Sequence, residues 1–274
     1  MKIGVDIGGT TIHIGVVEGD KLISNVTYPS FDRNDTMEQT LGYLTGILEN
    51  HVNERTSSIG IGVPSVVDIE KGIVYNTANI PSWKEVHLKA VLEGHFGIPV
   101  MVNNDANCFA IGAARSVNAG DDEIVAAVTL GTGVGIGLVV NGKIVNGANT
   151  GLGEITWIPY KGKTLEDWCG KNFFVDQGIR PVELYRKAEE GAEDAIRIFS
   201  EYGHELAFLM AIVMGAYDPH RVVFGGGLSN NHKYFEKAMM DGLRELFPFP
   251  ASVSTIRIEY LTQSETAVIG AAGL

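Results

Sequence analysis

Two carboxylates stand where a chain of this composition would do chemistry. Asp105 lies in Val102-Asn103-Asn104-Asp105-Ala106-Asn107, where the apolar run from Ile98 to Val102 gives way to four polar side chains. The run is flanked by Gly97-Ile98-Pro99 and followed by Ala106 to Ala114, so it reads as a buried strand feeding a helix. Such a junction puts a polar group at the carboxyl end of a strand, where open α/β sheets bind ligands. Helix capping is the plainer role, because Asn and Asp are favoured N-cap residues, and taken alone the stretch is more often a helix start than an active centre. Capping accounts for one or two of these side chains, and Asp105 is the leading candidate for a functional role. The second carboxylate, Asp6, closes the strand pattern Lys2 to Ile7 and precedes the turn Gly8-Gly9-Thr10-Thr11.

Glycine turns recur twice more, at Gly131-Thr132-Gly133-Val134-Gly135-Ile136-Gly137 and at Gly225-Gly226-Gly227. The first of these contains the glycine spacing of a dinucleotide fingerprint, but that fingerprint must open a helix inside a βαβ unit, and here a hairpin follows. No Gly-Lys-Ser/Thr ending marks a P-loop. What remains is a backbone nest: N–H groups in a tight Gly-Thr-Gly turn hold an anion, because the missing Cβ lets the main chain approach a phosphate. Magnesium prefers one or two carboxylates with phosphate oxygens and water, so a nest beside Asp6 points to a magnesium-bound nucleotide. Each loop alone is equally an ordinary tight turn. Three of them, with Asp6 and Asp105 at strand ends, call for a common explanation.

The elements that must position these groups follow from periodicity. Lys2 to Ile7 and Ile12 to Val17 form a hairpin that turns again at Glu18-Gly19-Asp20; Met37, Leu41, Leu44, Leu48 and Val52 make a helical stripe; Ile59, Ile61 and Val63 alternate as a strand stopped by Pro64. Lys71 to Trp83 is expected to be an irregular loop, and Leu88, Leu92 and Phe96 mark a short helix before the Asp105 strand. The second half restarts the theme, with strand Ile124 to Leu130, the glycine turn, strand Ile136 to Val140, and an Asn141-Gly142 hairpin into Lys143 to Val145. Beyond Gly151 to Gly170 come helices from Pro181 to Ala216, strand Arg221 to Phe224, a helix over Tyr234 to Leu246, strand Ile256 to Leu261 and a closing helix from Glu265. Strand, glycine turn, strand thus occurs twice, which predicts two lobes of related topology.

The 274 residues are 45% hydrophobic and 20% charged, enough to bury a large core, and the net charge of -12 disfavours nucleic acid, whose phosphates demand a surplus of Lys and Arg. The two cysteines, Cys108 and Cys169, and the seven histidines show no metal-ligand spacing. The chain enters a strand pattern at Lys2 without a signal-peptide core, and its longest apolar run, Leu206 to Tyr217, falls short of the roughly 20 residues of a bilayer span. A cytoplasmic protein with no membrane partner is expected. The Asn-x-Thr tripeptides at Asn25 and Asn34 then carry no glycosylation signal.

Asp6-Ile7-Gly8-Gly9-Thr10 resembles the first phosphate motif of the actin, Hsp70 and hexokinase superfamily. Together with Asn104-Asp105-Ala106-Asn107, Leu130 to Gly135, Gly153-Glu154-Ile155 and Phe224 to Gly227, it is similar to the ROK sugar kinases, with the motifs in family order over nearly the whole chain. The resemblance implies an α/β fold of two ribonuclease-H-like, actin-like ATPase lobes with a central cleft for sugar and ATP. The expected division is a small N-terminal lobe of residues 1–108 plus the C-terminal helix 262–274, and a large lobe of residues 109–261. It further implies an ATP- and Mg²⁺-dependent kinase of a hexose primary hydroxyl, with glucose as first guess. The alternatives are N-acetylmannosamine, N-acetylglucosamine, fructose or allose, or a sugar-responsive regulator or sensor. A homodimer is implied by the same resemblance.

Carried over residue by residue, Asp105 is the general base; Asn79, Asn104, Glu154 and Glu166 bind sugar hydroxyls; Gly8, Gly9, Thr10, Thr11, Gly131, Thr132 and Gly133 face ATP phosphates. Gly225, Gly226 and Gly227 lie against the adenosine, and Asp6 is near magnesium directly or through water. The chain departs from the family where Gly-Glu-Ile-Gly-His and a Cys-x-Cys-Gly cluster would bind zinc. It reads Gly153-Glu154-Ile155-Thr156-Trp157 there, and Pro159 to Thr164 is short and cysteine-free, so no zinc site is expected. Trp157 either stacks on a pyranose face or fills the vacated space, and a Trp more often packs. Ser65, after Pro64, replaces a common glycine beside the sugar loop.

Overall fold

The computed structural model describes residues 1–19, 21–148, 150–263 and 265–274. The alternating apolar residues of the N-terminus build an antiparallel hairpin, β1 (Lys2–Ile7) and β2 (Thr11–Glu18), extended by β3 (Lys21–Pro29). Asp20, part of the expected second turn, lies outside the described residues. Helix α1 (Met37–Glu49) starts at Thr36, which forms a reciprocal capping box with Gln39. β4 (Ser58–Val63) and, after α2 (Leu88–Phe96), β8 (Val100–Asn104) then add parallel strands, giving the order β3-β2-β1-β4-β8. Ile3, Val5, Ile7, Ile59, Ile61, Val63, Val100 and Val102 are buried in this sheet. The register sets Asp6 opposite Gly62 and Val63 opposite Asn104, so the parallel strands deliver Asp6 and the Asn104-Asp105 pair at their carboxyl ends.

One expectation changes here. The segment Lys71 to Trp83 is not wholly irregular: β5 (Val66–Asp68), β6 (Ile73–Tyr75) and β7 (Glu85–Val86) form a separate antiparallel sheet, with Val74 and Trp83 buried. Three residues are too few for strand periodicity to register, and only burial of their apolar side chains defines them. β3 was hidden for another reason, since as an edge strand it leaves most of its side chains partly or fully exposed.

Helix α3 (Asp105–Ser116) follows β8 directly. The chain divides into one unit of Met1–Asn118, Lys143–Leu152 and Ser264–Leu274, and another of Ala119–Gly142 and Gly153–Gln263. A boundary after residue 108 would cut α3, whose Ala106, Phe109, Ala110 and Ala113 are buried as one continuous face, so the first unit keeps the whole helix.

In the second unit β9 (Ile124–Leu130) and β10 (Val134–Val140) pair antiparallel across the glycine turn. Asn141 and Gly142 follow with φ of 52° and 71°, the left-handed pair of a type I′ turn into β11 (Lys143–Ile144). A small hairpin, β12 (Pro159–Tyr160) and β13 (Lys163–Thr164), leads into α4 (Leu165–Cys169), α5 (Asn172–Val175), α6 (Pro181–Glu189) and the long α7 (Glu193–Tyr217). β14 (Arg221–Gly225), α8 (His232–Leu246), α9 (Pro250–Thr255) and β15 (Arg257–Tyr260) complete the second sheet, ordered β11-β10-β9-β14-β15, with β9, β14 and β15 parallel. Mixed topology with hairpins leading into parallel strands thus occurs in both sheets. The final helix, α10 (Thr266–Ala272), belongs to the first unit. Among the described residues no helix is long and apolar enough to cross a membrane.

Candidate active site

The β8–α3 junction uses helix capping to hold a carboxylate. Asn104 is the N-cap: its Oδ1 accepts from the Ala106 N–H at 2.9 Å and the Asn107 N–H at 3.3 Å, and its Nδ2 donates to the Ser65 carbonyl at 3.3 Å. Asp105 is therefore the first helical residue, and its Oδ1 accepts from the Ala106 N–H at 2.8 Å. Beneath it lies a chain of amides. Asn107 Nδ2 donates to Asn103 Oδ1 at 3.0 Å, and Asn103 Nδ2 donates to Asn146 Oδ1 at 3.0 Å, which also receives Asn107 Nδ2 at 3.3 Å. Asn103 Oδ1 in turn accepts from the Asn104 N–H at 2.8 Å. Asn103 and Asn107 are 2% and 1% exposed, so a reversed amide would leave donors facing donors without water to relieve them. Asn146 thus sets the polarity of the network that carries Asp105. No spacing relation in the sequence marks it.

Asp6 sits between β2 and β4, and burial pushes its carboxyl up to about 6. Cys108 is buried, and its thiol is pushed well up by that burial and by the negative charges of Asp6 and Asp105, which places both carboxylates near one sulfur. A Cβ at Gly62 would stand 3.1 Å from Cys108 Sγ and 3.4 Å from the Asp105 Cα, so the bare backbone there allows α3 to start close to the sheet. The neighbouring turn is closed by Gly8 N–H to the Thr11 carbonyl at 2.9 Å, and Ser30 Oγ donates to the Gly8 carbonyl at 2.7 Å. Asn79 lies against this turn, its amide 3.1 Å from where a Gly9 Cβ would be. Ser65 Oγ donates to the Tyr75 carbonyl, so the sequence departure at that position ties the segment after β4 to β6. Among the described residues no three His, Cys, Asp or Glu side chains gather as a metal cage. One buried carboxylate beside a glycine turn is instead the kind of donor set that magnesium would complete with phosphate oxygens and water, and Asp6 fits it.

In the second unit the Gly131-Thr132-Gly133 turn is closed by the Gly131 N–H to the Gly133 carbonyl at 3.0 Å. Glu166, on α4 behind the Thr164 cap, accepts from the Val134 N–H at 3.0 Å through Oε2, and a Gly133 Cβ would come within 2.5 Å of that oxygen. One oxygen of Glu166 therefore serves the glycine turn. Glu154 stands on a 3₁₀ turn (Glu154–Trp157) that Gly153 enters at φ 101°, where a Cβ would strike the Ile136 carbonyl at 2.0 Å. Loss of solvent raises the Glu154 carboxyl, a hydrogen bond from Trp157 opposes that, and repulsion from Glu166 adds to it, so the two carboxylates converge.

Trp157 does not fill a vacated core: it is 61% exposed. The space is organised by the β12–β13 hairpin itself. Tyr160 stacks on Phe208 at 4.3 Å, Lys161 pairs with Glu205 at 2.7 Å over the Tyr160 and Trp168 rings, and Trp168 Nε1 donates to the Tyr160 carbonyl at 3.1 Å.

The third glycine run divides its labour. Gly226 has φ 84°, and a Cβ there would lie 2.4 Å from the Leu130 carbonyl, so this glycine lets the chain pass the end of β9. Gly227 borders a cavity of about 530 Å³, within the range of small-molecule sites, which Gly131 also borders. Its other walls are Leu228, Asn230, Asn231, Lys171 and the apolar face of Pro181, Val182 and Tyr185. Gly225 and Gly226 are not among the wall residues. Lys171, Pro181, Val182 and Tyr185 had no signal in the sequence, since neither glycine nor a carboxylate marks them.

Comparison with known proteins places the chain among sugar kinases of known sequence and fold. The chain is 31% identical to an N-acetyl-D-glucosamine kinase of Erwinia tasmaniensis, covering 89% of this chain and 88% of the relative. It is 32% identical to one of Yersinia enterocolitica, covering 86% and 87%. In fold it is similar to the ROK hexokinase of Thermus thermophilus (TM-score 0.78, 25% identity, 98% and 96% covered). It is likewise similar to a ROK family glucokinase of Streptomyces griseus solved with glucose and AMPPNP (TM-score 0.81, 23% identity, 99% and 98% covered). The sequence profile of the ROK family matches residues 2–179 and 161–274, and with motifs, fold and relatives in agreement, the chain belongs to the ROK family.

Proposed function

We propose that this chain transfers the γ-phosphoryl group of ATP to a primary hydroxyl of a hexose, with N-acetyl-D-glucosamine ahead of glucose as the acceptor. The observation that carries the reading is Asp105, fixed at a capped strand end, in a chain whose relatives at about 30% identity are named N-acetyl-D-glucosamine kinases. Those names move the first choice from glucose to the N-acetylated sugar. Asp105 accepts the proton of the attacking hydroxyl, and phosphoryl transfer needs such positioning and charge stabilisation more than covalent chemistry. Asn104 keeps one amide hydrogen beyond its cap for a hydroxyl, and Glu154 and the second oxygen of Glu166 accept from others. Exposed Trp157, bonded to Glu154, offers a flat face to the pyranose ring. The Gly8–Thr11 and Gly131–Gly133 turns take phosphates and the Gly227 cavity takes adenosine. Asp6 would hold magnesium directly or through water, and the bound ion would supply neutralisation of phosphate charge.

A coupled assay of ADP release with ATP and magnesium, over N-acetylglucosamine, N-acetylmannosamine, glucose, fructose and allose, tests this. The highest kcat/KM is expected with N-acetylglucosamine, and activity is expected to vanish with chelator. Higher kcat/KM for glucose would reverse the acceptor assignment. Sugar-dependent thermal stabilisation without turnover on any sugar would make the chain a sensor.

The amide network adds a second expected result. Asn146→Leu keeps the volume but removes the acceptor for two buried donors, and kcat is expected to fall about ten-fold, in line with the 1–3 kcal/mol cost of unsatisfied buried groups. Asn146→Asp retains an acceptor oxygen and is expected to keep most of the activity. Equal steady-state kinetics for the wild type and the Leu variant would remove Asn146 from the positioning of Asp105.

A further inference from the structure

We propose that Lys171 is a phosphate-binding residue, its ammonium engaging the β-phosphate of the nucleotide. The inference rests on the reading of the Gly131–Gly227 cavity as the nucleotide site, and it goes beyond that reading by assigning the phosphate charge a partner. Among the described residues that wall the cavity, Lys171 is the one charged side chain. Its backbone is stapled to the glycine turn, because the Lys171 N–H donates to the Gly131 carbonyl at 3.0 Å. The preceding residue runs along the same turn: a Cβ at Gly170 would stand 3.3 Å from the Thr132 carbonyl and 3.5 Å from the Gly133 Cα. The side chain therefore projects from a backbone held beside the N–H groups that would cradle phosphate.

Electrostatics supplies the need. The protein carries a net charge of -12, and a nucleotide triphosphate brings several further negative charges, so a turn lined only by backbone dipoles works against the field of the whole molecule. Lys161, Lys163, Lys233 and Lys237 of this unit are engaged with Glu205, Asp176, Glu189 and Asp241, and Lys187, which has no ion pair among the described residues, does not line the cavity. Lys171 forms no ion pair among the described residues, and its exposed ammonium is available to an anionic ligand. An ammonium offers three donors on a flexible stem, which suits a phosphate chain whose oxygens shift during transfer.

Calorimetric titration of the full chain with ADP and with adenosine tests the assignment. In Lys171→Met, affinity for ADP is expected to fall about ten-fold, the size of one charge-assisted hydrogen bond, while affinity for adenosine stays within about two-fold. Lys171→Arg, which keeps the charge, is expected to recover most of the ADP affinity. A parallel loss for ADP and adenosine would mean that Lys171 only shapes the pocket, and unchanged ADP binding would mean that it touches no phosphate; either overturns the proposal while leaving the nucleotide site standing. Wild-type protein that binds neither ligand would overturn the nucleotide reading itself, and the proposal with it.

Discussion

Asp105→Asn is expected to lower kcat by roughly 10²–10⁴-fold while leaving fold and sugar binding in place. The substitution is nearly isosteric, and the Asn side-chain oxygen still accepts from the Ala106 N–H as Asp105 Oδ1 does. Asn104 remains the cap and the Asn103–Asn107–Asn146 amides are untouched, so the helix start is retained. The loss of a negative charge in the first turn of α3 costs about 0.3–1 kcal/mol, a small part of the stability of a domain of this size. What disappears is the proton acceptor. Steady-state kinetics should therefore show a collapsed kcat with KM for the sugar changed only a few-fold, the pattern of an interaction realised in the transition state. A variant with near-normal turnover would remove Asp105 from the role of base.

The largest expected effect on stability comes from the far end of the chain. Gly270→Val in α10 is expected to destabilise the protein by about 3 kcal/mol or more, because it adds atoms where no side chain can rotate away. A Cβ at Gly270 would lie 1.7 Å from the Cys108 carbonyl oxygen and 2.7 Å from the Gly112 nitrogen, both in the backbone of α3. The contact is reciprocal: a Cβ at Gly112 would meet the Thr266 carbonyl at 1.9 Å, and those at Gly4 and Gly60 would meet the Val268 and Ala271 carbonyls at 1.9 Å and 1.8 Å. α10 is thus seated backbone-to-backbone on α3, β1 and β4, the elements that carry Asp105 and Asp6. Thermal unfolding should show a drop in Tm of about 6–12 °C, or insoluble protein. Gly42→Ala in α1, where an added Cβ meets nothing within 4 Å, is the control and should stabilise by up to about 1 kcal/mol. If Gly270→Val melts with the wild type, the close seating of α10 is refuted.

The same two regions show where sequence reading ends. The β8–α3 junction was legible because its signals are local: an apolar run, a polar break and favoured cap residues within a few positions, all realised by Asn104 and Asp105. The hairpin after the Gly131 turn and the type I′ turn at Asn141-Gly142 were legible for the same reason, since turn chemistry is set by neighbouring residues. The charge balance and the order of the motifs were likewise carried by composition and spacing alone. Edge strand β3 and the three-residue β6 escaped because exposure and shortness erase periodicity. Trp157 was expected to pack, as an aromatic side chain usually does, and only the folded chain turns it outward beside Glu154. Asn146 reaches Asn103 across 43 positions, Lys171 meets Gly131 across 40, and α10 returns to α3 from the far end of the chain. Local backbone preference determined the turns, the caps and the carboxylates at strand ends. The partners that hold or complete them were decided by tertiary structure, because long-range packing brings together residues that no sequence period relates.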